Sequence, residues 1–175
     1  MEKRLQEMLD HYEISKTLNQ YCRGCDRCDE TLMSSVYLED SWDDHGALQA
    51  PGPEFSKIMI QNVKATTESL SHLLGQSLID VKGDEAGAET YFIAASRSFD
   101  GDGVELCNQL GGRYIDKLLR DGEGRWRIQH RTVVRDWSIS IPAHEYDWTK
   151  ASKLREGARS SVDPSFAVLG FSGAR

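Results

Sequence analysis

Apolar residues in the first third of the chain recur at helical spacing. Leu5, Met8, Leu9 and Tyr12 fall three and four residues apart, and Ile14, Leu18 and Tyr21 extend the stripe with a small drift. This pattern predicts one long N-terminal helix. Gly24 is the expected stop of that helix. Asp26 or Asp29 then caps a second, short helix carrying Leu32, Val36 and Tyr37. The stretch Glu39-Asp40-Ser41-Trp42-Asp43-Asp44-His45-Gly46 suits a short strand running into a loop, and Pro51-Gly52-Pro53 punctuates the chain. A third helix is expected from about Glu54 to Ser69, with Phe55, Ile58, Met59 and Val63 on its buried side.

The remainder changes period. Segments 71–82, 86–99, 104–120 and 125–139 read as long strands. They are separated by the turn signals Lys82-Gly83-Asp84, Asp100-Gly101-Asp102-Gly103 and Asp121-Gly122-Glu123-Gly124. Connections this short allow only antiparallel neighbours, so a meander is expected. Gly87, Gly111 and Gly112 lie inside the strands, where glycine marks bulges and bends, and the sheet should be strongly curved. Helices followed by such a sheet make an α+β layout with the helices on one sheet face. The tail, residues 141–175, contains Pro142 and Pro164, basic residues at Lys150, Lys153 and Arg155, and a Gly/Ser-rich end. It is readable as a helix over a pocket mouth, an arm onto a neighbouring subunit, or disorder.

Composition narrows the function classes. A chain of 175 residues with 39% hydrophobic residues fits one domain with a real core. The net charge of −7 argues against a general phosphate-binding surface for nucleic acid, and against docking on an anionic membrane. No apolar run approaches the ~20 residues of a membrane-spanning helix. The N-terminal Met1-Glu2-Lys3-Arg4-Leu5-Gln6-Glu7 has mixed charge with no apolar signal core behind it, so a cytoplasmic protein is expected.

Candidate chemistry is sparse. Cys22, Cys25 and Cys28 form a C-x2-C-x2-C run with Cys107 far downstream. A ferredoxin-type run needs a fourth Cys followed by Pro, and zinc needs a fourth ligand, so helix-spaced small hydrophobes are the simpler reading. No phosphate-binding glycine loop, His-Glu-x-x-His motif or nucleophile elbow occurs. Acid–base chemistry by scattered polar residues remains. His72, between Leu70 and Leu73-Leu74, reads either as a core-edge histidine or as a general base held by a carboxylate. Asp26 reads as a helix cap or as an inward-turned carboxylate, because Asp29 competes for the cap. Strand alternation puts Arg131 opposite Trp126 and Ile128, on the exposed side, unless a curved sheet makes a polar cavity there. Tyr21 reads as a core aromatic or a hydroxyl donor.

Together these residues resemble the SnoaL-like branch of the nuclear transport factor two-like superfamily. The likeness begins at Tyr21-Cys22-Arg23-Gly24-Cys25-Asp26-Arg27-Cys28-Asp29 and continues in the acidic strand 39–46. It then runs through Thr67-Glu68-Ser69-Leu70-Ser71-His72, Gly83-Asp84-Glu85-Ala86-Gly87-Ala88-Glu89-Thr90-Tyr91, Gly111-Gly112-Arg113-Tyr114, and Trp126-Arg127-Ile128-Gln129-His130-Arg131 with Asp136-Trp137. The resemblance implies a cone of helices and curved antiparallel sheet around a pocket over residues 1–140. Bile-acid dehydratase, scytalone-dehydratase-like and lindane dehydrochlorinase enzymes are nearest in motif. Their carboxylate–histidine dyad carries over to Asp26 and His72, their pocket arginine to Arg131, and the dehydratase tyrosine to Tyr21. Arg97 lies near a further strand-borne polar position. Cysteines flank the aspartate where the family carries aliphatic or small residues. The resemblance implies a lyase that uses no metal or organic cofactor and acts on a small hydrophobic cyclic or aromatic compound. It also implies a homo-oligomer, trimer ahead of dimer. Carbon–carbon cleavage, isomerisation, ligand binding without catalysis, and a structural role like the small subunits of ring-hydroxylating dioxygenases remain open alternatives.

Overall fold

The structure, a computed structural model, describes residues 1–143 and 157–169. Helix α1 (Glu2–Asp26) leads through α2 (Glu30–Ser34) into strand β1 (Tyr37–Asp44), β2 (Gln49–Pro51) and α3 (Gly52–Thr66). Four long strands follow, β3 (Ser69–Lys82), β4 (Glu85–Phe99), β5 (Glu105–Arg120) and β6 (Trp126–Pro142), and a short α4 (Pro164–Leu169) lies in the tail. The expected helices and strands are present within a few residues of their expected bounds, but α2 ends at Ser34, so that of the residues expected on it Val36 falls in the turn and Tyr37 opens β1.

The long strands form the expected antiparallel meander. Gly83, at a φ of +66°, supplies the left-handed residue of the two-residue turn between Lys82 and Glu85. The sheet as a whole is mixed, with strand order β2-β1-β6-β5-β4-β3. Strand β1 pairs with β6 in parallel, which corrects the all-antiparallel expectation. Between β1 and β6 lie a helix and four strands, and a crossover of that length permits parallel pairing. Register shifts at Leu74/Ser77, Gly111/Gly112 and Lys117/Leu118 bend the open sheet.

Helices α1 and α3 fill the concave side. Ile14, Leu18, Tyr21, Met33, Val36, Phe55, Ile60, Phe92, Tyr114, Leu118, Trp126 and Ile128 form one core. The first half of the α1 stripe does not join it: Leu5, Met8, Leu9 and Tyr12 are exposed. Burial of α1 starts at Asp10, whose carboxylate holds Arg120 and accepts the Trp126 indole N–H at 3.2 Å.

Gly24 is not the helix stop. A Cβ there would lie 2.7 Å from the Met33 backbone nitrogen, so glycine is needed for α1 to meet α2. The stop is Cys28, at φ 53°. Asp29 N–H donates to Gly24 C=O at 2.8 Å and Cys28 N–H to Cys25 C=O at 3.2 Å, the paired bonds of a Schellman ending.

Of the tail, Lys150, Lys153 and Arg155 lie outside the described residues. The described part docks on its own chain. Arg159 donates to Val63 C=O at 2.9 Å, Asp163 faces Arg27 at 3.9 Å, and the Arg23 guanidinium sits 4.8 Å from the Phe166 ring. No helix among the described residues is long and apolar enough to cross a membrane.

Candidate active site

Between the concave sheet face, the end of α1 and helix α3 lies a cavity of about 670 Å3. Tyr21, His45, His72, Phe92, Tyr114 and Arg135 are among the residues that line it.

Asp29 settles the competition for the second helix cap, because its Oδ1 accepts the Leu32 N–H at 3.0 Å. Asp26 is thereby free to turn inward from the last turn of α1. One carboxylate oxygen accepts the backbone N–H of His72 at 2.9 Å, and the other meets His72 Nδ1 at 2.6 Å. Both bonds come from one residue, so the imidazole position is tied to its own backbone. An ionised carboxylate at Nδ1 places the proton on that nitrogen and leaves Nε2 as the acceptor.

A second imidazole is held the same way. His45 Nδ1 contacts Asp43, which also accepts the Tyr37 hydroxyl and is fully buried. His45 stacks on Phe55 at 4.5 Å, and its Nε2 lies 3.2 Å from the Tyr21 hydroxyl. Burial pushes the Tyr21 phenol well above its ordinary pKa, with the Asp43 carboxylate adding to that and Arg131 opposing it. Tyr21 is therefore a neutral hydroxyl at neutral pH, able to donate. Asp43 and His45 stand in the acidic segment 39–46 noted above, which singled out neither of them as a site residue. The signal was the Asp-x-His spacing, which sets both side chains on one face of a strand end.

Arg131 sits in the wall. A register shift at Lys117/Leu118 inserts Gln129 between Ile128 and His130, and so moves Arg131 onto the face of Trp126 and Ile128. The alternation that put it on the exposed side is corrected by this one-residue bulge. Arg131 is 0% exposed and makes a two-pronged pair with Asp116, Nε to Oδ1 at 2.7 Å and Nη2 to Oδ2 at 2.8 Å. Its guanidinium lies between the rings of Tyr21 and Tyr114, at 4.1 and 4.2 Å. Burial disfavours its charge, but the attraction of Asp116 outweighs this and holds its pKa above the ordinary value. Arg131 therefore supports the cavity-lining tyrosines from behind, and it does not line the cavity itself.

Arg97 stands apart on the opposite sheet face, ion-paired with Glu105. The cysteine run is a packing feature. Cys22, Cys25 and Cys28 are buried free thiols, and desolvation pushes Cys22 up to about 12 and raises Cys25 well above its usual value. Among the described residues no group of three His, Cys, Asp or Glu side chains converges to hold a metal ion.

Known proteins show the same architecture. A crystal structure of a candidate scytalone dehydratase from Novosphingobium aromaticivorans is 19% identical, with a TM-score of 0.67, over 82% of this chain and 93% of that one. Hexachlorocyclohexane dehydrochlorinase type 3 from Novosphingobium barchaimii is 14% identical, with a TM-score of 0.72, over 82% and 98%. A candidate aromatic ring hydroxylase from Novosphingobium aromaticivorans is 21% identical, with a TM-score of 0.65, over 78% and 94%. No protein of curated function matches the sequence. The model of the SnoaL-like domain matches residues 6–132, and with the cone of helices and curved sheet this places the chain in the SnoaL-like family of the nuclear transport factor two-like superfamily.

Proposed function

We propose that this chain is a cofactor-independent lyase that eliminates water from a small hydrophobic cyclic or aromatic alcohol. One observation carries the reading: two imidazoles face a single cavity, each held by its own carboxylate through Nδ1, and one of them meets a neutral phenol. Elimination of water needs a base for a carbon-bound proton and an acid for the departing oxygen. His72 Nε2 removes the proton, and Asp26 fixes the tautomer and stabilises the imidazolium that forms. The electron pair of the broken C–H bond becomes the new double bond, and the C–O bond breaks. The Tyr21 hydroxyl protonates the leaving oxygen while His45, backed by Asp43, orients it; the proton Tyr21 gives is replaced from solvent, and the proton His72 takes is released to it. Arg131 acts through Tyr21 and Tyr114, holding their rings, and is a positioning residue. Two of the structures of the same fold are named for elimination chemistry, which supports this reaction class.

The test is a screen of steroid, aromatic and polyketide alcohols for loss of water by mass spectrometry. With a substrate in hand, His72→Gln should lower kcat by about 10²–10⁴-fold. His45→Gln should slow loss of water yet spare a matched substrate that loses halide, since halide leaves without a proton. Full turnover by folded His72→Gln would sink the assignment. Exchange of substrate hydrogen in heavy water without loss of water would point to isomerisation instead.

A further inference from the structure

Arg135 lines the same cavity at its open edge. It follows Arg131 and Val133 on the inward face of β6, whereas its neighbour Asp136 turns to the other face and holds Arg113. The other arginines of β5, β6 and their connecting turn have carboxylate partners. Arg113 pairs with Asp136, Arg120 with Asp10, Arg125 and Arg127 with Asp121, and Arg131 with Asp116. Among the described residues Arg135 makes no hydrogen bond or ion pair, although the chain carries 28 acidic residues. Among the described residues no aspartate or glutamate lines the cavity; Asp26 and Asp43 each spend their oxygens on their histidine and its surroundings. The guanidinium is thus the one permanent charge opening into this cavity among the described residues.

We propose that Arg135 is a specificity residue that binds a carboxylate on the substrate, remote from the bond that breaks. This rests on the lyase reading for its account of what happens at His72, but its own claim concerns binding. A guanidinium presents paired N–H donors that match the two oxygens of a carboxylate. The sheet sets the reach. His72 on β3 and Arg135 on β6 stand three strands apart, about 14 Å along the sheet at ~4.8 Å per strand, and curvature shortens the gap across the cavity. The Arg135 side chain bridges part of that distance, which leaves room for one or two fused rings between the carboxylate and the reacting carbon. The substrate class narrows to hydrophobic cyclic alcohols bearing an acid group.

The experiment titrates 2-naphthoate and its neutral counterpart 2-naphthamide into the protein by calorimetry at pH 8, above the ordinary range of imidazole titration. The native chain should bind the carboxylate about tenfold more tightly than the amide, the effect of one charge-assisted bond pair. Arg135→Gln should abolish the preference without changing the amide affinity, and Arg135→Lys should retain part of it. His72→Gln should keep the preference intact. Equal affinities in the native chain, a preference that survives Arg135→Gln or disappears with His72→Gln, or saturable binding of neither compound would each overturn the proposal. Arg135 is exposed, and circular dichroism establishes that its variants fold. Failure of the dehydration screen, with the charge preference intact, would remove the lyase reading and leave this one standing.

Discussion

Asp116→Asn should destabilise the fold by about 3–5 kcal/mol, the usual cost of breaking a buried ion pair by removing one partner. Arg131 has no exposed surface, and both of its bonds to Asp116 run within 2.7–2.8 Å. Asparagine is the same size but offers one acceptor oxygen, and it turns an amide N–H2 toward the other guanidinium donor. Arg131 Nη1 already lacks a partner, so the variant leaves a second N–H without one and an uncompensated charge in the core. The flanking rings of Tyr21 and Tyr114 remain, and each offsets only part of the loss. Against a total stability of about 5–15 kcal/mol this is a large fraction. In urea at pH 7, with a slope of roughly 2 kcal/mol per molar, the midpoint should fall by about 1.5–2.5 M. Replacing the pair together, Asp116→Leu with Arg131→Met, should recover most of the loss, because no charge is then left in the core. A single variant within about 0.5 kcal/mol of the native protein would refute the reasoning, and so would a double variant no more stable than the single.

Gly24→Ala should cost about 2–3 kcal/mol in the same assay, since the new methyl meets Met33 backbone at 2.7 Å and α1 and α2 must separate. Asp121 is expected to stabilise its turn above about pH 4. Partial burial opposes its charge, but N–H groups of Arg125 and Glu123 and the Arg125 guanidinium lower its pKa from 3.8 to about 2. A depressed folded pKa means stability lost as pH falls from 4 toward 2, so Asp121→Asn should cost about 1–2 kcal/mol at pH 7 and almost nothing near pH 2. Native thiol titration at pH 8 should label Cys107 first, and Cys22 and Cys25 only on unfolding, because burial raises the pKa of both. Sedimentation velocity should find a homo-oligomer, with a trimer expected and a dimer possible. Leu73, Ile93 and Trp137 form an exposed apolar row across the outer sheet face, and Trp137→Lys should weaken the assembly. A monomer at micromolar concentration would contradict this.

The helices and long strands were legible because their causes are local. Glycine- and aspartate-rich turns at 83, 100–103 and 121–124 end strands wherever the chain goes, and Asp29 caps α2 through a bond three residues away. The Asp26–His72 contact was legible only through resemblance, because 46 residues separate the partners and no spacing rule joins them.

The misreadings share a cause as well. Helical spacing marked Leu5, Met8, Leu9 and Tyr12 as one face, but spacing does not say whether anything lies opposite that face, and the sheet covers α1 only from about Asp10. Alternation put Arg131 on the exposed side until one extra residue at Gln129 reversed it. The partners of β1, the pairing of His45 with Tyr21, and the emergence of Arg135 at the cavity edge depend on registers between strands far apart in the chain. Sequence by itself determined which segments are helix and strand, because backbone preferences and turn chemistry act over a few residues. Only the tertiary structure decided which side chains face the cavity, because a single-residue shift in register exchanges the two faces of a strand.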